Sequence, residues 1–220
     1  MSTYGALLPV LAVGALAGLL LRTRLSAFGH RRPEERGLPI RRTGWVIPAT
    51  ALLSVFLWVA VRQNQPVLVA MIFVLAGWIM IALAFIDLDV HRLPDAIQLP
   101  SYPILLALLV IGAIATGGWS AVARAVIAGI VLFAFYFLLL LLPSGFGFGD
   151  VKLAGLLGML LGWLGWSSVV RATFATFIIG GLVAVGVMFV RDHGRKDEFA
   201  YGPSMLAGAV VAIVLSALSS

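Results

Sequence analysis

The sequence predicts an all-α protein, a polytopic bundle of about eight transmembrane helices with both termini outside. Three observations predict it. Of 220 residues, 62% are hydrophobic and only 11% charged, whereas soluble domains carry roughly 25% charged residues. The apolar residues come in unbroken runs of membrane-spanning length, without the alternating or helical-period pattern of a soluble core. The basic residues gather in the short breaks between alternate runs. No long polar segment separates the runs, so residues 1–220 read as a single integral membrane domain. There is no cysteine, which excludes disulfides, thiolate metal sites and a cysteine nucleophile. The net charge of +6 is explained by topology, and no nucleic-acid partner is expected.

The first run, about Tyr4–Leu21, has no basic residue before it and no small-residue cleavage site with polar continuation after it. It reads as a retained span. Gly14 and Gly18 lie four apart within it, a spacing that favours close helix packing. Residues 22–44 form a basic loop with seven arginines offset by Glu34 and Glu35. Further spans are expected at about Trp45–Val61, Pro66–Ile86, Ser101–Ala115, Ala123–Leu142, Leu153–Gly165, Ala172–Val190 and Pro203–Leu218. The sixth is short, and Ala154, Gly158 and Gly162 fall on one face. A short helix with a small-residue stripe is expected to be buried among other helices.

Eight spans put both termini on one side. Of the 15 Lys and Arg residues, all but Arg62, Arg124 and Arg171 fall in breaks 22–44, 87–100, 143–152 and 191–200. The positive-inside bias makes those four breaks cytoplasmic and both termini external. Every Asp and Glu falls on the same side, although topology was assigned from Lys and Arg alone. Asp87 and Asp150 therefore lie at one membrane depth, at the cytoplasmic ends of the third and fifth spans.

Two of these breaks carry the candidate chemistry. Segment 143–152 contains Ser144-Gly145-Phe146-Gly147-Phe148-Gly149-Asp150-Val151-Lys152, a glycine-rich break ending in a carboxylate. Glycine there removes bulk and frees the backbone for positive φ, which suits close approach of another chain to an acid. Segment 87–100 opens with Asp87-Leu88-Asp89 and continues through His91, Arg92, Leu93, Pro94 and Asp95. Asp89, Asp95, Asp192, Asp197 and Glu198 read as charges marking loop ends, with Asp95 placed to cap the next span. Asp87 and Asp150, brought together, would share one proton. The ionised member can take a proton from an attacking water, while the protonated member donates to a carbonyl oxygen and then to a leaving amine. The protons belong to the pair, not to either residue. Other chemistries fit poorly. His30, His91 and His193 stand singly, Ser144 has no partner base, and the glycine run lacks the ending of a phosphate loop. Lys152 is expected either to ease a carboxylate at 150 or to serve topology.

These residues resemble the prepilin peptidases, a family of intramembrane aspartyl proteases with a Gly-x-Gly-Asp motif. Gly147-Phe148-Gly149-Asp150-Val151-Lys152-Leu153 is similar to the family's second aspartate motif. Asp87, with Leu93-Pro94-Asp95 and Leu99-Pro100, is similar to the first, and Tyr201-Gly202-Pro203 to its C-terminal Phe-Gly-Pro. The resemblance covers roughly residues 80–210. It implies a membrane-embedded endopeptidase of the bacterial cytoplasmic membrane that removes a short basic leader from prepilin or pseudopilin precursors at the cytoplasmic face. It makes Asp87 and Asp150 the catalytic pair, with Asp89 as second choice for the first position. It places Gly147, Phe148, Gly149, Lys152, Pro94 and Asp95 in the motif or on the substrate's approach, with Phe146 beside them. Proteolysis would need no metal or other cofactor, and lipid is the other expected partner. Longer relatives carry a cysteine-rich zinc-binding insertion in the first cytoplasmic loop, and many methylate the new N-terminus with S-adenosylmethionine. Here the zinc-binding element is absent, and S-adenosylmethionine is not carried over from the resemblance. The alternatives are a presenilin-like protease, a non-catalytic scaffold for pilus assembly, and a small proton- or cation-coupled transporter using the same aspartates. Transporters place acids near mid-membrane, and the middles of these spans lack acids.

Overall fold

The computed structural model describes residues 4–39, 41–142, 146–190 and 200–218. Among the described residues the chain forms eight α-helices and no strand: α1 (Leu7–Ser26), α2 (Val46–Arg62), α3 (Val67–Val90), α4 (Asp95–Thr116), α5 (Trp119–Leu140), α6 (Phe148–Leu164), α7 (Trp166–Val190) and α8 (Gly202–Leu218). Helices α1, α3, α4, α5 and α7 are long and apolar enough to cross a membrane, and α2 and α8 are shorter apolar helices. These eight elements match the eight apolar runs one for one. Ser144, Gly145, His193, Asp192, Asp197 and Glu198 lie outside the described residues.

Helix α6 is the centre of the bundle. Every residue from Leu153 to Trp163 is buried, and it packs against α4, α5, α7 and α8. Apolarity on all sides would also suit a lipid-facing span, so what places α6 inside is its short length and its small-residue face. The small-residue stripe makes that packing close. A β-carbon on Gly158 would lie 2.5 Å from the Ala128 carbonyl oxygen, and one on Gly162 would lie 2.8 Å from Ala125 Cα. Backbone thus meets backbone between α5 and α6, where dispersion and close approach replace the hydrophobic drive that lipid removes. The same device joins α1 to α2. Gly14 faces Ser54 and Gly18 faces Ile47 at distances that leave no room for a side chain.

Several helices extend beyond the spans expected from hydropathy, and three of them, α3, α4 and α6, bear on the acids. Helix α3 continues through Asp87 and Asp89 and ends at His91, whose φ of 49° is left-handed. Helix α4 starts at Asp95 and holds Pro100 and Pro103 inside it. Helix α6 starts at Phe148, so Asp150 lies in its first turn. Hydropathy stops a span at its first charge, but a helix continues wherever its charged side chains find partners.

Asp89 illustrates this and corrects its reading as a loop-end charge. Its carboxylate accepts hydrogen bonds from Arg31 Nε (2.8 Å) and Nη2 (2.6 Å) and from His30 Nε2 (2.8 Å). Its side chain is fully buried, as nearly is that of Arg31. Arg31 also donates to the carbonyls of Leu38 and Pro39. Next to it, Arg92 donates to both carboxylate oxygens of Glu35, at 2.6 and 2.8 Å, and to the His30 carbonyl. The Arg92 hydrogen bonds hold the Glu35 carboxyl far below its ordinary range, at about 2. The first basic loop is thereby clasped onto the end of α3 and the α3–α4 turn. At least Arg31 and Arg92 do more than set topology.

Two outcomes follow from this packing. Gly158→Val is expected to lower stability by roughly 1–3 kcal/mol through overpacking, while Gly181→Ala, which meets nothing within 4 Å, shifts it by less than about 0.5 kcal/mol. Unfolding in detergent, followed by circular dichroism, compares them. In the same assay Asp89→Ala should cost about 3–5 kcal/mol, because it strands the Arg31 guanidinium in a buried site.

Candidate active site

Successive helical residues are turned about 100° apart, so residues two apart point to nearly opposite faces. On α3 this separates Asp89, which faces the basic loop, from Asp87, which faces the bundle. Asp87 is 4% exposed, and its Oδ2 accepts a hydrogen bond from the Gly202 backbone N–H at 2.9 Å. Gly202 is the first residue of α8, so this donor is one of the N–H groups that a helix leaves unsatisfied at its start. A β-carbon on Gly202 would lie 2.7 Å from the same oxygen. Only glycine lets the backbone reach the acid that closely.

Asp150 is held by the same principle. Gly147 is the N-cap of α6, and its N–H donates to Asp150 Oδ2 at 2.9 Å. The Asp150 N–H bonds back to the Gly147 carbonyl at 3.0 Å, so the loop closes on itself around the carboxylate. Asp150 is 8% exposed. Each acid therefore sits at a helix N-terminus, where the macrodipole favours negative charge. Among the described residues neither forms an ion pair.

Both acids line a single cavity of about 460 Å³, together with His91, Arg92, Leu93, Phe146, Gly147, Phe148, Gly149 and Tyr201. Tyr201 stands edge-on against Phe146 with ring centroids 4.6 Å apart. Phe146 also meets Tyr136 and Phe177, giving the cavity an aromatic wall. From α4, Gln98 Nε2 donates to the Gly149 carbonyl at 2.9 Å and the Tyr102 hydroxyl to the Lys152 carbonyl at 2.6 Å. These bonds pin the start of α6.

The structure thus brings together Asp87, Asp150, Gly147, Phe148, Gly149 and Phe146. It places Lys152, Pro94, Asp95 and Asp89 outside the cavity lining. Lys152 Nζ bonds to Asp95 Oδ1 at 2.5 Å and lies 4.6 Å from the Phe148 ring centroid. It bridges α6 to α4 and leaves Asp150 alone. Asp95 lies in the first turn of α4 without a side-chain capping bond, and Pro94 holds the N-cap position. The glycines also differ from expectation. Gly147 has φ −93°, ordinary extended backbone, and around a β-carbon there the nearest side-chain atom, Asp150 Oδ2, is 3.6 Å away. A β-carbon on Gly149 would lie 3.0 Å from that of Leu93, so Gly149 admits the α3–α4 turn. Leu93, Tyr201 and Gly202 were expected only as motif residues, and His91 and Arg92 were not assigned to the site. The signal for Gly202 was available in Tyr201-Gly202-Pro203, a glycine and proline opening a helix.

The family model described as "Type IV leader peptidase family" matches residues 73–185, which span α3 to α7. The chain is 33% identical over 168 residues to the prepilin leader peptidase/N-methyltransferase of Aeromonas hydrophila, covering 75% of this chain and 55% of that protein. It is 32% identical over 207 residues to the protein of the same name from Pseudomonas putida, covering 90% of this chain and 65% of the relative. The chain thus spans little more than half to two thirds of the length of these relatives. No solved structure matches it. The matched region contains both acids and the helices that carry them, and the chain belongs to the type IV leader peptidase family.

Proposed function

We propose that the protein is a membrane-embedded aspartyl endopeptidase that removes the short leader of type IV prepilin-like or pseudopilin precursors. The observation that carries this is the pair of buried carboxylates, from α3 and α6, that face one cavity with no ion-pair partner among the described residues. Asp87 and Asp150 are the catalytic pair. Together they hold a single proton, and the unprotonated carboxylate takes a proton from water as it attacks the scissile carbonyl. The other carboxyl hydrogen-bonds the carbonyl oxygen and passes its proton on to the leaving amine. The Gly202 and Gly147 N–H groups keep both carboxylates aimed at the cavity while the proton moves. Proteolysis needs no cofactor in this scheme.

The positive-inside count supports acids at the cytoplasmic face and both termini outside, and the prepilin peptidase relatives support a bacterial inner membrane. A precursor with a charged leader and an apolar helix would present its cleavage site at that depth. The transport reading finds no support in the family to which the chain belongs. The relatives' names include an N-methyltransferase, and product mass tests whether this chain shares that activity.

Asp87→Asn and Asp150→Asn are each expected to reduce cleavage of a prepilin in membranes by about 10²–10⁴-fold, without loss of the folded protein. Mass spectrometry of the product reads the cut and any added methyl group. Cleavage by both variants at the wild-type rate would remove the proposed mechanism. Loss with Asp150→Asn alone would remove Asp87 from the catalytic pair. Gly202→Ala should lower kcat by roughly 10²-fold by displacing the Asp87 carboxylate, with a much smaller change in KM.

A further inference from the structure

The first turn of a helix is its least restrained part, because its leading N–H groups have no partner within the helix. Asp150 lies in that turn of α6. Helix α3 packs against α1, α2, α4 and α8, and α6 against α4, α5, α7 and α8. The helices that carry the two acids thus share α4 and α8 as neighbours. Helix α8 serves Asp87 through the Gly202 N–H. Helix α4 meets the turn that carries Asp150.

Asp95, Gln98 and Tyr102 follow one another on α4 at helical spacing, which puts them on one face. That face grips α6 on both sides of Asp150. Gln98 Nε2 donates to the Gly149 carbonyl at 2.9 Å, and the Tyr102 hydroxyl to the Lys152 carbonyl at 2.6 Å. A carbonyl oxygen has two lone pairs, so each can take this donor and keep its helical bond. Two glycines make room for the grip. A β-carbon on Gly149 would lie 3.0 Å from that of Leu93, and one on Gly155 would fall on the Tyr102 hydroxyl. Gln98 is wholly buried. Its Oε1 is buried too and has no hydrogen-bond partner among the described residues. Turning the amide would set that oxygen against the Gly149 carbonyl, which is itself an acceptor. An apolar side chain of similar shape would leave no polar atom unpaired, so stability alone does not call for glutamine at 98.

We infer that Gln98 and Tyr102 are positioning residues for the reaction, a two-point clamp from α4 that fixes the Asp150 carboxylate against Asp87. The inference rests on the peptidase reading above. Neither side chain lines the acids' cavity, so both act through the backbone of α6. The carbonyls they hold belong to Gly149, just before the acid, and to Lys152, just beyond it. A displacement of about 1 Å at a reacting group can cost about 10²-fold in rate, so a loosened first turn is felt in the chemistry before it is felt in the fold.

The test compares Gln98→Met, Tyr102→Phe and Ser101→Ala with the wild type on a full-length prepilin in detergent, reading kcat, KM and the unfolding midpoint of each. Ser101 is the control, buried on the same helix with its hydroxyl donating to the Ile97 carbonyl within α4. Gln98→Met and Tyr102→Phe are each expected to lower kcat about ten-fold with KM held within about two-fold. The unfolding midpoint of Gln98→Met should equal or exceed that of the wild type, since the unpaired oxygen is gone. Ser101→Ala should keep kcat within about two-fold of the wild type. A merely structural role would move kcat and the midpoint together. Unchanged kcat in either clamp variant, a fall in kcat that tracks a fall in the midpoint, or an equal loss in Ser101→Ala overturns the clamp and leaves the peptidase intact. Failure of the wild type to cut the precursor removes the peptidase reading and the clamp with it.

Discussion

The structure is organised by the cost of burying two carboxylates that have no counter-ion among the described residues. An isolated charge moved away from water is expensive unless hydrogen bonds replace its solvation. Here each acid receives one backbone N–H from the start of a helix, Asp150 from Gly147 and Asp87 from Gly202. Backbone donors are fixed dipoles that bring no positive charge, so they hold a carboxylate in place without neutralising it. Much of the fold serves to deliver those two helix starts to one point. Helix α6 must run through the middle of the bundle, and it can do so because Gly158 and Gly162 let α5 approach to backbone contact. Helix α8 must begin beside the end of α3, and it can because residue 202 has no side chain.

Charges outside the site are treated in the opposite way. Asp89, Glu35 and Asp95 each meet a cation, Arg31, Arg92 and Lys152 respectively. The Asp89–Arg31 pair is buried, and breaking it costs far more than forming it gains; Glu35–Arg92 is partly buried and Asp95 largely exposed, so these contacts act mainly as constraints on geometry. They lock the first loop, the α3–α4 turn and the start of α6 to one another. Arg92 and Leu93 of that turn line the acids' cavity, so the ionic clasp fixes a wall of the site from behind.

Helix number, the burial of α6 and the common depth of Asp87 and Asp150 were legible because they depend on run length, small-residue spacing and charge sidedness. Each of these is local or a simple count. The ends of α3, α4 and α6 were not, because hydropathy treats a charged residue as a boundary. Whether Asp87 or Asp89 ends a helix depends on what stands opposite, and Arg31 is 58 residues away in sequence from Asp89. The partner of Lys152 was hidden for the same reason. Proximity in sequence suggested Asp150, but two residues along a helix lead to the far face, and space brought Asp95. Gly202 was quoted as part of a motif, yet its role appears only when α8 is set against α3, 115 residues from Asp87.

The contrast between Asp87 and Asp89 gives the strongest argument about chemistry. They are the same residue type, on the same helical turn and nearly equally buried. Asp89 has three side-chain hydrogen bonds from Arg31 and His30, so its charge is fully compensated and its lone pairs are engaged. Asp87 has one neutral donor and faces open volume beside a second such acid. A structural role for an internal carboxylate is satisfied by the first environment. The second keeps a carboxylate buried, oriented and unspent, which stability alone does not require. That difference is why we propose a reaction at Asp87 and read a clasp at Asp89, two residues apart in one motif.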